Sequence, residues 1–196
     1  MNIQRTWAMP SSDTFDIAPI GDLVRRYLSK SKISVDPFSR NKRWATYTND
    51  LNPITEAEYH MLASDFLKML VTRGVHADLI IFDPPYSTQQ IKEVYAGVGM
   101  PVSNSLEFNS TIGHWSQEKD LCYQLLIPGG AFIHCGWHSN GMGKGRDMVI
   151  EELLLVAHGR AHNDTIVTVE VKQAHQLSMF DSNLTQRAAD VASCAS

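Results

Sequence analysis

The chain has 196 residues, 43% hydrophobic and 19% charged, with a net charge of −4. That is enough apolar material for one ordinary domain, and it excludes a wholly disordered chain. No apolar run reaches the length of a membrane span, and the negative balance excludes a global positive field that would draw the protein onto nucleic acid.

In chain order, the first periodic stretch is 18–30, where Ile20, Leu23, Val24, Tyr27 and Leu28 share one helical face. A short strand, Ile33–Asp36, follows and is stopped by Pro37. A second strand is expected over Ala45–Asn49 and a third over Glu58–Ala63. Ser64 or Asp65 then caps a helix that runs to about Val71, with Gly74 just beyond it. Asp78–Phe82 reads as a buried strand, and Ala131–Gly136 as another after the Pro-Gly-Gly turn at 128–130. Glu151–Ala157 and Thr165–Val171 read as a hairpin. Strands alternating with helices, closed by a hairpin, predict a mixed α/β sheet of mainly parallel order. Ligands in such sheets sit at the carboxyl ends of the strands, where Asp36, Asp50, Asp65 and Asp83 fall or lie close by. From about Gln173 the chain turns small and polar and reads as a flexible tail. Cys122, Cys135 and Cys194 form neither a disulfide framework nor a metal knuckle. With no signal-peptide core at the N-terminus, a reducing, cytoplasmic setting is expected.

Asp83-Pro84-Pro85-Tyr86 carries the clearest chemistry. An aromatic amino group is a poor nucleophile because its lone pair is delocalised into the ring. Two acceptors aimed at its N–H bonds favour the tetrahedral, reactive form. The Asp83 carboxylate and the Pro84 carbonyl supply them. The two prolines fix φ and bring no competing N–H. Tyr86 offers a face for stacking, and acceptors matched to developing charge lower the barrier.

On these residues the sequence resembles the S-adenosylmethionine-dependent amino-group DNA methyltransferases, in particular small phage-type adenine-N6 enzymes. Val35-Asp36-Pro37-Phe38 looks like that family's first cofactor motif, and Asn49–Pro53 (NDLNP) like the stretch ending its next strand. ASDFLKML at 63–70 resembles a further cofactor segment, and PGGAFIHCGW at 128–137 the strand that packs beside the catalytic loop. DTFDIAPIGDLVRRYL at 13–28 resembles the element that closes over the methionine end of the cofactor. The resemblance implies a class I (Rossmann-like) methyltransferase sheet in a domain over 1–172, with S-adenosyl-L-methionine as cofactor. It implies that Asp36, Phe38, Thr14 and Phe15 contact cofactor, that Asp50 bonds the ribose hydroxyls, and that Asp65 bonds the adenine amino group. Asp83, Pro84, Pro85 and Tyr86 are implied as catalytic.

One departure is structural. Ser39-Arg40-Asn41-Lys42 replaces the usual glycines, and only about thirteen residues separate Asp36 from Asp50. A parallel crossover needs a dozen or more, usually a helix, so the first crossover helix is expected to be reduced or missing.

Double-stranded DNA as substrate requires a flipped base and cations for phosphate. The candidates are Arg40, Lys42 and Arg43, Lys144 and Arg146 in a Gly-rich loop, and Arg160 in the hairpin turn. Residues 87–118 are a candidate recognition insert. No metal site is expected, because a strand sends His134 and Cys135 to opposite faces and no CxxC pair exists. The GMGKG run at 141–145 lacks P-loop spacing. In the tail, Gln176-Leu177-Ser178-Met179-Phe180 resembles the peptide that docks on the bacterial sliding clamp, with Gln176, Leu177, Met179 and Phe180 as its contacts. Two alternatives stay open: a cytosine-N4 DNA or guanine-N2 RNA methyltransferase, and a non-catalytic protein that binds DNA or the clamp.

Overall fold

The computed structural model describes residues 1–100, 115–159 and 162–174. Seven strands form one sheet: β1 (Asn2–Trp7), β2 (Ser34–Asp36), β3 (Tyr47–Thr48), β4 (Ala77–Phe82), β5 (Leu126–Gly136), β6 (Met148–Ala157) and β7 (Thr165–Lys172). Their order is β1-β6-β7-β5-β4-β2-β3. Every pair is parallel except those of β7, which runs antiparallel to both β5 and β6. The described helices are α1 (Ala18–Leu28), α2 (Ala63–Thr72), α3 (Thr88–Gly97) and α4 (Ser116–Leu125), with a 3-10 turn at Thr14–Asp16. No helix among the described residues is long and apolar enough to cross a membrane.

The alternation of β4 divides the core. Leu79 and Ile81 point to the α1 side and pack with Ile20, Val24, Ile133, Val156, Val167 and Val169. Ile80 and Phe82 point to the other side and pack with Phe66, Leu67, Leu70, Cys122, Leu125 and Phe132. This period of two is what a strand buried on both faces requires.

The expected mixed sheet with a final hairpin is present, and β2 and β3 are joined without a crossover helix, as the residue count required. Residues 37–46 link two parallel strands by turns alone. Trp44 from this link stacks on Phe15 (5.8 Å between rings, 22°) and lies beneath the Arg25 guanidinium. One indole thus covers surface that a helix would have buried.

Several expectations are corrected. Glu58–Ala63 is not a strand. It makes a single parallel bridge, Asn49 with Tyr59. The residue before α2 is Leu62, with no side-chain cap, so neither Ser64 nor Asp65 is the N-cap, and Asp65 sits inside the first turn. The Pro-Gly-Gly at 128–130 lies within β5 rather than before it. Ala77 pairs with Leu126 and Leu79 with Ala131, so the extra residues are absorbed as an irregularity, with Gly129 at φ 80°. β1 was not expected at all. Its exposed, polar sequence has no core face to announce it. It is held by six register pairs with β6, and beyond its end the His158 ring nitrogens bridge Ala8 O and Thr165 Oγ1 at 2.9 Å each.

Candidate active site

The chain leaves β2 for β3 on one side and returns to β4 on the other. The topological switch point therefore lies between β2 and β4, where ligands of such sheets bind. Asp36 is the last residue of β2, and Asp83 follows the last residue of β4. The sheet brings together two carboxylates far apart in sequence.

Phe82 faces the α2/α4 side, so Asp83 turns to the α1 side. There it accepts a hydrogen bond from the Tyr86 hydroxyl, and Thr14 Oγ1 lies 3.3 Å from the same hydroxyl. Burial lifts the Asp83 carboxyl to about 6, against the hydrogen bonds that favour its ion. The loop is fastened to α3 by a capping box. Ser87 caps Gln90 N, and Gln90 Oε1 accepts from Tyr86 N (2.7 Å) and Ser87 N (3.2 Å). The Tyr86 ring packs against the α1-side core and meets Trp137 edge-on at 5.8 Å. Its hydroxyl is therefore engaged with the catalytic candidate rather than open.

Asp36 is 1% exposed, and burial holds its carboxyl well above the usual range, reinforced by the charges of Asp83, Asp50 and Asp13. It accepts from Phe38 N at 3.0 Å. Asp50 follows β3 closely and accepts from Asn52 N (2.8 Å) and Arg40 N (3.2 Å). Phe38 packs edge-on against Phe82 (5.2 Å) and Trp115 (5.1 Å), and Phe15 lies in the α1-side core. Asp65 is exposed on α2, 3.9 Å from Lys68. It is not among the carboxylates whose charges act on Asp36, namely Asp83, Asp50 and Asp13.

Among the basic candidates, Lys42 is taken by Asp16 (2.5 Å) and Asp13 (3.8 Å), and the Arg40 guanidinium by Ser12 O. Arg146 donates to Met142 O (2.6 Å), Ser116 O (3.2 Å) and Asp120 (2.6 Å), pinning the Gly-rich loop to α4. These three brace the protein itself. Arg43 and Lys144 are exposed. Arg160, the tail residues 176–180 and part of the 87–118 insert lie outside the described residues.

Beside the Asp83 loop opens a cleft of about 460 Å³. Pro84, Pro85 and Tyr86 form one wall, and Trp115, Trp137 and Met142 line other parts of it. Lys119, Lys144, Arg146, His134 and His138 also line it, and among the described residues no carboxylate does. The loop from β5 to β6 depends on Gly141, which has φ 48°. A Cβ there would strike the Glu170 carboxylate, which accepts from Met142 N. Gly141→Ala is expected to cost about 2 kcal/mol, read as a lower denaturation midpoint. An unchanged midpoint would mean the loop tolerates the side chain.

No protein-family model matches the chain, and no curated protein matches it. Solved structures do resemble it. NSun6 from Pyrococcus horikoshii with SFG superposes at TM-score 0.50 and 12% identity, over 78% of this chain and 51% of that one. TrmN from Thermus thermophilus gives 0.50 and 12%, over 78% and 48%. The N-methyltransferase NodS from Bradyrhizobium japonicum, in complex with S-adenosyl-L-homocysteine, gives 0.48 and 12%, over 84% and 90%. The chain has the class I methyltransferase fold. At these identities the likeness is one of fold, and the chain spans about half the length of the first two structures.

Within that fold, sequence reasoning passed over Asn49, which is 1% exposed at the end of β3. Its Nδ2 donates to Pro37 O (3.1 Å) and Met61 O (3.0 Å), and its Oδ1 accepts from Met61 N (3.1 Å). Its backbone N donates to Asp36 O (2.9 Å). One side chain ties the turn after β2 to the segment entering α2. The only sequence signal was its place in NDLNP, where the neighbouring acid drew attention. Lys119 and His134 in the cleft were also missed as site residues: Lys119 stands in no motif, and His134, inside the 128–137 stretch, was weighed only as a metal ligand.

Proposed function

We propose that the protein is an S-adenosylmethionine-dependent DNA methyltransferase acting on the N6 amino group of adenine. The observation that carries the reading is the placement of Asp83-Pro84-Pro85-Tyr86. It leaves the carboxyl end of β4 at the switch point and walls a cleft whose described lining carries aromatic rings and cations. Such a lining suits a planar base attached to phosphate.

The cofactor side is consistent in its chemistry. Burial raises the Asp36 carboxyl, the charges of Asp83, Asp50 and Asp13 add to it, and a cation at this end of the sheet would favour its ion. When bound, S-adenosylmethionine supplies a cationic sulfonium as the methyl source. Asp36 and Asp50 would hold it, with Asp50 at the ribose hydroxyls and Asp65 at the adenine amino group. Thr14, Phe15 and Phe38 would border it.

On the target side, the Tyr86 hydroxyl yields Asp83 to the incoming amino group. Asp83 and the Pro84 carbonyl then accept its two N–H bonds and free the nitrogen lone pair for attack. The flipped ring would lie against the Tyr86 ring at the cleft wall. Lys144 and Arg43 remain for phosphate.

The test is methyl transfer from labelled cofactor to unmethylated duplex DNA, followed by nucleoside mass spectrometry. N6-methyladenine is the expected product. A product confined to cytosine or to an RNA substrate would overturn the adenine reading. Absence of any product with the cofactor bound would overturn transfer to nucleic acid.

A further inference from the structure

His134 sits in β5 opposite Phe82, the residue before Asp83. It is 2% exposed and lines the cleft, yet its Nδ1 has no hydrogen-bond partner. A buried polar atom without a partner is costly, and native interiors rarely keep one. The ring is fixed by stacking near Phe82 (6.1 Å, 19°), Phe132 (6.4 Å, 23°) and His138 (5.4 Å, 24°). Gly136 leaves it room, since a Cβ there would lie 2.9 Å from His134 Cε1. Burial, aided by the charge of Lys119, lowers the imidazole to about 3, so it is neutral at physiological pH.

Lys119 lines the same cleft from the start of α4 and is only 6% exposed. Among the described residues it is the one buried cation of the lining, Lys144 being exposed and Arg146 part of the brace to Asp120. Glu170, whose charge acts on Lys119, already accepts from Met142 N. The cleft thus holds a donor-only cation and an imidazole nitrogen with unmet hydrogen-bonding capacity, next to the wall made by Pro84 and Tyr86.

We propose that Lys119 and His134 read the edge of the ring held in the cleft, Lys119 donating to a ring nitrogen acceptor and His134 Nδ1 making a second hydrogen bond. This rests on the cleft being the seat of the target base. The ligand class is an aminated nitrogen heterocycle with a ring acceptor on the edge facing Lys119. An ammonium has donors only, so a ring that turns N–H toward it sets donor against donor and is rejected.

The test uses the full chain with S-adenosylhomocysteine bound and reads the fluorescence of Trp115 and Trp137 on titration with deoxyadenosine monophosphate and its 1-deaza and 7-deaza analogues. The wild-type chain is expected to favour the adenine nucleotide over one of the two analogues. Lys119→Met is expected to weaken adenine binding about tenfold or more and to erase that preference, with homocysteine-cofactor affinity unchanged. His134→Phe keeps the stack and is expected to weaken binding several-fold. A merely structural lysine would lower affinity without erasing the preference for one ring atom. Unchanged affinity and preference in Lys119→Met overturn the proposal and leave the methyltransferase reading standing. If no nucleotide alters the wild-type fluorescence, the proposal also falls, and the labelled-transfer assay judges the wider reading separately.

Discussion

Asp83→Ala is expected to lower methyl transfer by about a hundred- to a thousandfold while the cofactor still binds, because it removes one of the two acceptors aimed at the amino group. Single-turnover transfer and calorimetric cofactor binding check the two halves. Retained transfer would remove Asp83 from the chemistry. The acceptor must be ionised, so activity should rise as pH climbs through about 6, the value to which burial lifts this carboxyl. The same displacement acts on stability in the opposite sense. An unfolded aspartate titrates near 4, so between about 4 and about 6 the folded chain binds more protons than the unfolded one. Stability contributed by this group is greatest below that window and falls as pH rises through it. Asp83→Asn keeps the shape without the charge. It should be more stable than wild type at pH 8, by at most about 3 kcal/mol, and the gain should vanish near pH 4. A variant that is inactive and also less stable at pH 8 would contradict the account.

Asn49→Ala is expected to cost about 3 kcal/mol, since it strands buried groups of Pro37 and Met61 without partners. For a chain of this size that is roughly a 10 °C fall in midpoint. Cofactor affinity should fall with it, because the carbonyl end of β2 and the approach to α2 lose their common tie. Thermal denaturation with and without S-adenosylhomocysteine measures both. A variant with wild-type midpoint and affinity would show that the backbone bonds of Asn49 suffice.

The two effects differ in how visible they are in the amino-acid sequence. Asp83 stands in a motif whose residue types have a direct chemical reason, and it follows an apolar run that can only be a buried strand. Asn49 stands among polar residues with nothing to mark it. Its importance arises only when Pro37 and Met61, each twelve residues away, are brought to its two sides. Lys119 is another such case. It lies on a polar helix, and burial at the cleft is a property of the packed structure.

The sequence by itself determined the elements with strong local signatures: α1, α2, β4, the β6–β7 hairpin and the Asp83 loop. Hydrophobic period, capping glycines and proline geometry are properties of neighbours along the chain. It also determined the loss of the first crossover helix, because a count of residues bounds what can span two parallel strands. The tertiary structure alone decided that Asn2–Trp7 is a strand, since an exposed edge strand is held by the backbone of β6 and not by its own side chains. It alone decided that 58–63 collapses to one bridge, that Lys42 and Arg40 brace the 12–16 turn, and that the Tyr86 hydroxyl rests on Asp83. Each depends on which distant group arrives as a partner, and no local pattern encodes that arrival.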